Sequence, residues 1–164
     1  MKILKYPNRC LTTPANDSVD FLSDRQSFIR DLSMMINTLM CTPSGIALAA
    51  NQVGLPHRLF IIDRKFAEKN NVPSTIICPR IVSSSGKVKM DEGCLSFPGV
   101  SLRIERPEVI NVRFMDESQN WYERELSGMV ARVFLHESEH LDGKLFIDNV
   151  DRIAKYQAIG KMRR

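Results

Sequence analysis

The sequence predicts an α+β fold in which antiparallel strands pack around a central helix. Two observations carry this expectation. Apolar side chains recur at helical spacing in two separated segments, and between them lie short β-type runs joined by links too brief for parallel crossovers, which need about a dozen residues or more. A chain of 164 residues fits one domain spanning residues 1–164, because most domains hold about 100–200 residues.

The first helix is expected within residues 21–40, where Phe28, Leu32, Met35, Ile36 and Leu39 follow the three-to-four spacing of an amphipathic face. Thr42, Pro43, Ser44 and Gly45 then form a turn leading into residues 46–54. Strands are expected at residues 58–62, 75–82, 108–115 and 121–126. In the third of these, Ile110, Val112 and Phe114 alternate with polar neighbours, as a half-buried strand requires. The clusters Ser83 to Gly86 and Asp116 to Asn120 read as turns. A second helix should run from residue 127 or 128 to 142 and stop at Gly143. A third, short helix is expected at residues 153–161 within a basic tail, residues 151–164, that carries Arg152, Lys155, Lys161, Arg163 and Arg164.

With 43% hydrophobic and 26% charged residues, the composition is that of a globular protein and excludes disordered and collagen-like classes. No apolar run is long enough for a membrane span, and Met1 to Lys5 lack the features of a secretory signal, so a cytoplasmic protein without membrane contact is expected. Cys10, Cys41, Cys78 and Cys94 show no paired spacing, which argues against a disulfide framework and leaves thiols free for metal. The net charge of +4 is spread among interleaved acidic residues, which reads as a solvated surface with no specific DNA binding. Only the basic tail concentrates charge enough to meet an anionic partner.

The sharpest chemical signal is His136-Glu137-Ser138-Glu139-His140 in the second helix. Histidines four apart stack one turn above each other, so both imidazoles reach one ion with Glu137 beside it. Met129, Val133, His136 and His140 share a stripe, which sets an apolar pocket next to the ligands. Catalytic zinc-type centres hold three protein ligands and keep a position open for water. Cys94, within Glu92-Gly93-Cys94-Leu95-Ser96-Phe97-Pro98-Gly99, is the candidate third ligand. Taken singly, the five-residue motif also suits ordinary intrahelical surface pairs, and Cys94 an inert buried thiol. His57, Cys10, Cys41 and Cys78 read as structural.

Three blocks in order, residues 45–52 ending in Gln52, Glu92 to Ser96, and His136 to Gly143 continuing through Leu145 to Asp148, resemble the motifs of peptide deformylases. The resemblance covers nearly the whole chain, and Ser96 to Gly99 are similar to the branch with many bacterial and organellar members. It implies a single catalytic domain that removes the formyl group from the N-terminal formylmethionine of nascent polypeptides. It also implies one divalent metal held by Cys94, His136 and His140, with Fe(II) in the cell and Zn, Ni or Co tolerated. Glu137 would be the general base, taking a proton from the attacking water and passing one to the departing amine. The Gln52 amide and the Leu95 N–H would hold the oxyanion. A pocket near Gly45, Ile46, Met129 and Val133 would take the methionine side chain. From the residues themselves, Glu92 reads either as a partner of Arg106 that supports the cysteine loop or as an exposed charge at a turn. Implied partners are N-formylmethionyl peptides and, through the basic tail, the ribosome.

Three positions depart from the commonest family pattern: Ala47 for a second glycine, Leu135 for glutamine and Glu139 for aspartate. If that glycine serves a positive φ, alanine costs on the order of 1 kcal/mol; if it serves close approach, the pocket edge narrows. Two other readings stand beside this one. A zinc metallopeptidase would take a later His or Glu as third ligand, and no histidine follows His140. A non-catalytic, metal-containing module docking on ribosomes would need neither Glu137 nor Gln52.

Overall fold

The computed structural model describes residues 1–17 and 19–162. Arg163 and Arg164 of the basic tail lie outside the described residues. Helix α1 (Arg25–Met40) starts where the Asp24 carboxylate accepts from the Ser27 N–H at 3.0 Å, and a short 3-10 turn (Asp20–Leu22) precedes it. The helix lies within the expected range, and the Asp24 cap fixes its start. Phe28, Leu32, Met35 and Leu39 are buried, but Ile36 is 39% exposed, one position off the stripe that faces the sheet.

Seven strands follow: β1 (Ala47–Ala49), β2 (Leu59–Ile62), β3 (Thr75–Ser85), β4 (Val88–Cys94), β5 (Phe97–Arg106), β6 (Val109–Met115) and β7 (Trp121–Ser127), with α2 (Arg64–Lys69) between β2 and β3. Strands β1, β2, β3, β6 and β7 form one antiparallel sheet in the order β1-β2-β3-β6-β7, while β4 and β5 form a separate antiparallel pair. The serine cluster is not a turn. Ser83, Ser84 and Ser85 pair with Asn111, Ile110 and Val109, and the chain reverses at Gly86, whose φ is 67°. Serine is neutral enough to extend a solvent-facing strand when a partner is present, and Asn111 Nδ2 donates to Ser83 Oγ at 3.0 Å.

Helix α3 (Gly128–Leu141) and helix α4 (Arg152–Lys161) complete the chain. Gly143 follows α3 with φ 71°, and a Cβ there would come within 2.8 Å of the Thr12 carbonyl oxygen, so the stop position admits only glycine. One sheet face packs α1 against Leu48, Leu59, Ile61 and Ile77; the other packs Val130, Phe134 and Leu141 of α3 against Phe60, Ile76, Ile110 and Phe114. Each such side chain contributes about 1.5–3 kcal/mol through burial. A third cluster, including Phe97, Val100, Ile104, Phe146 and Ala158, joins β5 to α4. Helix α3 thus lies with the large sheet on one side and the β4–β5 hairpin on the other. Among the described residues no helix is long and apolar enough to cross a membrane.

Candidate metal centre

The centre forms where α3 faces the end of β4. His136 and His140 lie one helical turn apart, their ring centroids separated by 5.0 Å. Cys94 closes β4, where its pairing with Phe97 breaks the register of the hairpin. That irregularity turns the thiol toward the helix, and Sγ comes 3.2 Å from His140 Nε2. Ligand atoms of Cys94, His136 and His140 all lie within 4.8 Å of one another. His136 Nδ1 is engaged by Glu92 Oε2 at 3.1 Å, which leaves Nε2 for an ion.

Electrostatics prepare the same set. Burial opposes ionisation of the Cys94 thiol, but His140 and His136 outweigh it and hold the thiol well below its ordinary range. The thiolate is the form that ligates. Burial likewise opposes charge on His136, and Cys94 and Glu92 more than offset it. Glu137 is 5% exposed, and its Oε2 is buried without a hydrogen-bond partner among the described residues. Burial raises its pKa against the pull of His136 and His140. One thiolate and two imidazoles, with a buried carboxylate facing them, fit a borderline-soft divalent ion.

Gln52 lies in a 3-10 turn (Ala50–Val53) and is held at both ends of its amide. Oε1 accepts from the Ala49 N–H at 2.9 Å, while Nε2 donates to Ser96 Oγ at 3.1 Å and lies 3.6 Å from Cys94 Sγ. The donor end is thereby aimed at the centre. Leu95 follows Cys94 at the hairpin tip, and its carbonyl accepts from Lys5 Nζ at 2.5 Å. Gly45, Ile46, Met129 and Val133 line a cavity of about 700 Å³, together with Gln52, Cys94, Leu95, His136 and Glu137. His140 is 1% exposed and sits behind the cavity wall.

The Glu92–Arg106 pair forms in two bonds, Nε to Oε1 at 2.6 Å and NH2 to Oε2 at 3.0 Å. Burial pushes the Glu92 carboxyl up, but hydrogen bonds from His136 and Arg106 bring it down to about 2. Ala47 is a buried strand residue outside the positive-φ set, so its backbone does not call for glycine. His57 lies 3.6 Å from Asp31; Cys78 is buried; Cys10 and Cys41 are exposed. Sequence reasoning missed Arg132, Lys5 and the Ser96 hydroxyl. Arg132 stands four residues before His136, the same spacing that linked the two histidines, and that was the available signal.

Residues 1–156 match the family of polypeptide deformylases. The chain belongs to the polypeptide deformylase family. It is 37% identical to the peptide deformylase of Thermodesulfovibrio yellowstonii over 155 residues, covering 94% of this chain and 92% of that one. A Prochlorococcus marinus peptide deformylase is 38% identical, over 92% of this chain and 73% of its own. Among solved structures, peptide deformylase from Plasmodium falciparum, in complex with an inhibitor, superposes with a TM-score of 0.81 at 30% identity, covering 99% of this chain and 97% of that one. That from Thermotoga maritima gives 0.80 at 34% identity, covering 92% of this chain and 97% of that one. The mixed helix and antiparallel-sheet architecture is thus shared with deformylases from distant sources.

Proposed function

We propose that this chain removes the formyl group from the N-terminal formylmethionine of nascent polypeptides, releasing formate. The carrying observation is the convergence of Cys94, His136 and His140 within 4.8 Å beside the buried Glu137 carboxylate. Cys94, His136 and His140 would hold a divalent ion, which would supply Lewis acidity when bound; Fe(II), Zn, Ni and Co all suit the donor set.

Everything else is done by the protein. Glu137, its pKa raised by burial, takes a proton from the attacking water and later delivers one to the departing amine. The Gln52 amide, fixed by Ala49 and Ser96, and the Leu95 N–H stabilise the oxyanion that develops on the formyl group. Gly45, Ile46, Met129 and Val133 give the cavity wall an apolar stretch that suits a flexible thioether side chain. Residues 1–164 act as one catalytic domain in this reading. Arg152 and Lys161 on α4 favour contact between the tail and an anionic partner such as the ribosome, whereas Lys155 is engaged by Asp148 at 2.5 Å.

The test is formate release from a formyl-Met-Ala peptide, using protein purified without oxygen and reconstituted with Fe(II) or Ni(II), beside Glu137→Ala. Release that vanishes in the variant while metal stays bound supports both the reaction and the base. Bound metal with no release from the unmodified chain overturns the reading.

A further inference from the structure

Arg132 is 4% exposed, yet its side chain points away from the large sheet toward the hairpin. NH1 donates to Glu92 Oε1 at 2.7 Å and to the Ile104 carbonyl at 3.1 Å, and NH2 donates to the Val88 carbonyl at 2.8 Å. One guanidinium therefore grips a side chain and a backbone carbonyl of β4 and a backbone carbonyl of β5. The prospective metal ligands are divided in the same way, His136 and His140 on α3 and Cys94 at the end of β4. Arg132 bridges the two elements whose separation sets the ligand geometry.

Arg106 does not duplicate this clamp. Its NH2 is divided between Glu92 Oε2 at 3.0 Å and Glu139 Oε2 at 2.9 Å, and its NH1 is given to Glu139 Oε1 at 2.7 Å. Arg106 itself belongs to β5, so it ties hairpin strand to hairpin strand and hairpin to the Glu139 end of α3. Among the described residues, Arg132 alone donates from α3 to both hairpin strands. Arg132 shares Glu92 Oε1 with Arg106, whose Nε donates to it at 2.6 Å, and the two together hold the carboxylate whose Oε2 meets His136 Nδ1.

We propose that Arg132 is a positioning residue for the metal centre, setting the hairpin that carries Cys94 against the helix that carries His136 and His140. The inference rests on the metal site of the proposed function. It says nothing about which substrate is turned over.

The experiment compares the unmodified chain with Arg132→Met, which keeps length and apolar bulk but removes every donation, and Arg132→Lys, which keeps a charge that cannot span all three acceptors. Co(II) affinity is measured by chelator competition, the visible spectrum of the Co(II)-loaded protein is recorded, and Tm is followed in parallel. Loss of an outer partner typically weakens metal binding about 10–100-fold. That loss, with altered ligand-field bands, is expected for Arg132→Met, and a smaller loss for Arg132→Lys. A folded Arg132→Met with lowered Tm but unchanged Co(II) affinity and spectrum overturns the proposal, since Arg132 would then only stabilise the fold. If Arg132→Met does not fold, Arg132→Lys decides by the same criteria. An unmodified chain that binds Co(II) with a thiolate charge-transfer band but releases no formate leaves this inference standing and sinks the deformylation reading. Absence of that band in the unmodified chain sinks the centre itself.

Discussion

Glu139 meets Arg106 with both carboxylate oxygens, Oε1 at 2.7 Å from NH1 and Oε2 at 2.9 Å from NH2. The Arg106 side chain is 3% exposed and that of Glu139 22%. Oε2 also accepts from Asn149 Nδ2 at 2.9 Å, so this carboxylate ties α3 to the hairpin and to the segment before α4. The position is one where the family often has the shorter aspartate, and the extra methylene here is used for reach. Removing one member of a buried pair costs about 3–5 kcal/mol when the other is left uncompensated, and here Arg106 keeps two bonds to Glu92. That remaining pair and the partial exposure of Glu139 reduce the cost, so Glu139→Ala should lose about 1–2 kcal/mol in urea unfolding, and Glu139→Asp less. A loss for Glu139→Ala too small to measure would mean that Arg106 is satisfied by Glu92 alone.

Ala47 pairs with Ile62 in β1, is 8% exposed, and lines the cavity. With no positive φ to relieve, Ala47→Gly should destabilise by about 0.5–1 kcal/mol through added backbone freedom. Removing one methyl from the cavity edge should keep kcat/KM for formyl-Met-Ala within about tenfold. Stabilisation by glycine, read from Tm, would contradict the strand geometry.

Gln52→Leu removes the amide donor while keeping the volume. Loss of one oxyanion donor costs about 10²–10³ in kcat, and that drop is expected at unchanged metal content. A change confined to KM would reassign Gln52 to ground-state binding.

Asp116, in the turn between β6 and β7, accepts from Ser118 N–H at 2.8 Å, Asn120 N–H at 2.9 Å, Asn120 Nδ2 at 3.1 Å and Tyr122 OH at 2.9 Å. Burial is the largest single influence and raises its pKa, but the bonds from Asn120, Tyr122 and Ser118 together prevail and hold it below 3.8. Its folded value lies under its unfolded one, so the stability it contributes is fully present above about pH 3.8 and is lost as pH falls through the folded value. Asp116→Ala should lower stability by about 1 kcal/mol at pH 7, limited by solvent screening. The gap between variant and parent should narrow on acidification, and a gap that stays constant down to pH 2 would refute the assignment.

What the sequence disclosed follows from which signals are periodic. The stripe Phe28, Leu32, Met35 and Leu39 and the alternation Ile110, Val112 and Phe114 are side-chain patterns, and each marked an element that the structure contains. The β4–β5 hairpin was not legible, because the charged residues Glu92 and Arg106 occupy buried positions where the alternation calls for apolar side chains. β1 is only three residues long, too short for any period. The two histidines and Glu137 were legible because their spacing is chemical, and Cys94 because of the block of residues around it. Arg132 was not, since an arginine on a helix reads as solvated surface and two of its three partners are backbone carbonyls far along the chain.

The register break that turns Cys94 toward α3 has a mechanical side. All four cysteines are free, and Cys94 stands 46 residues from His140. An ion shared by that thiolate and the helix closes a long loop in a chain without a covalent cross-link. Such a site exists only in the folded chain, so a bound ion would stabilise the fold by mass action, by about 2.7 kcal/mol at a free concentration 100 times Kd. Chelation would then release a tether as well as a reagent, and metal supply would govern how long the fold endures.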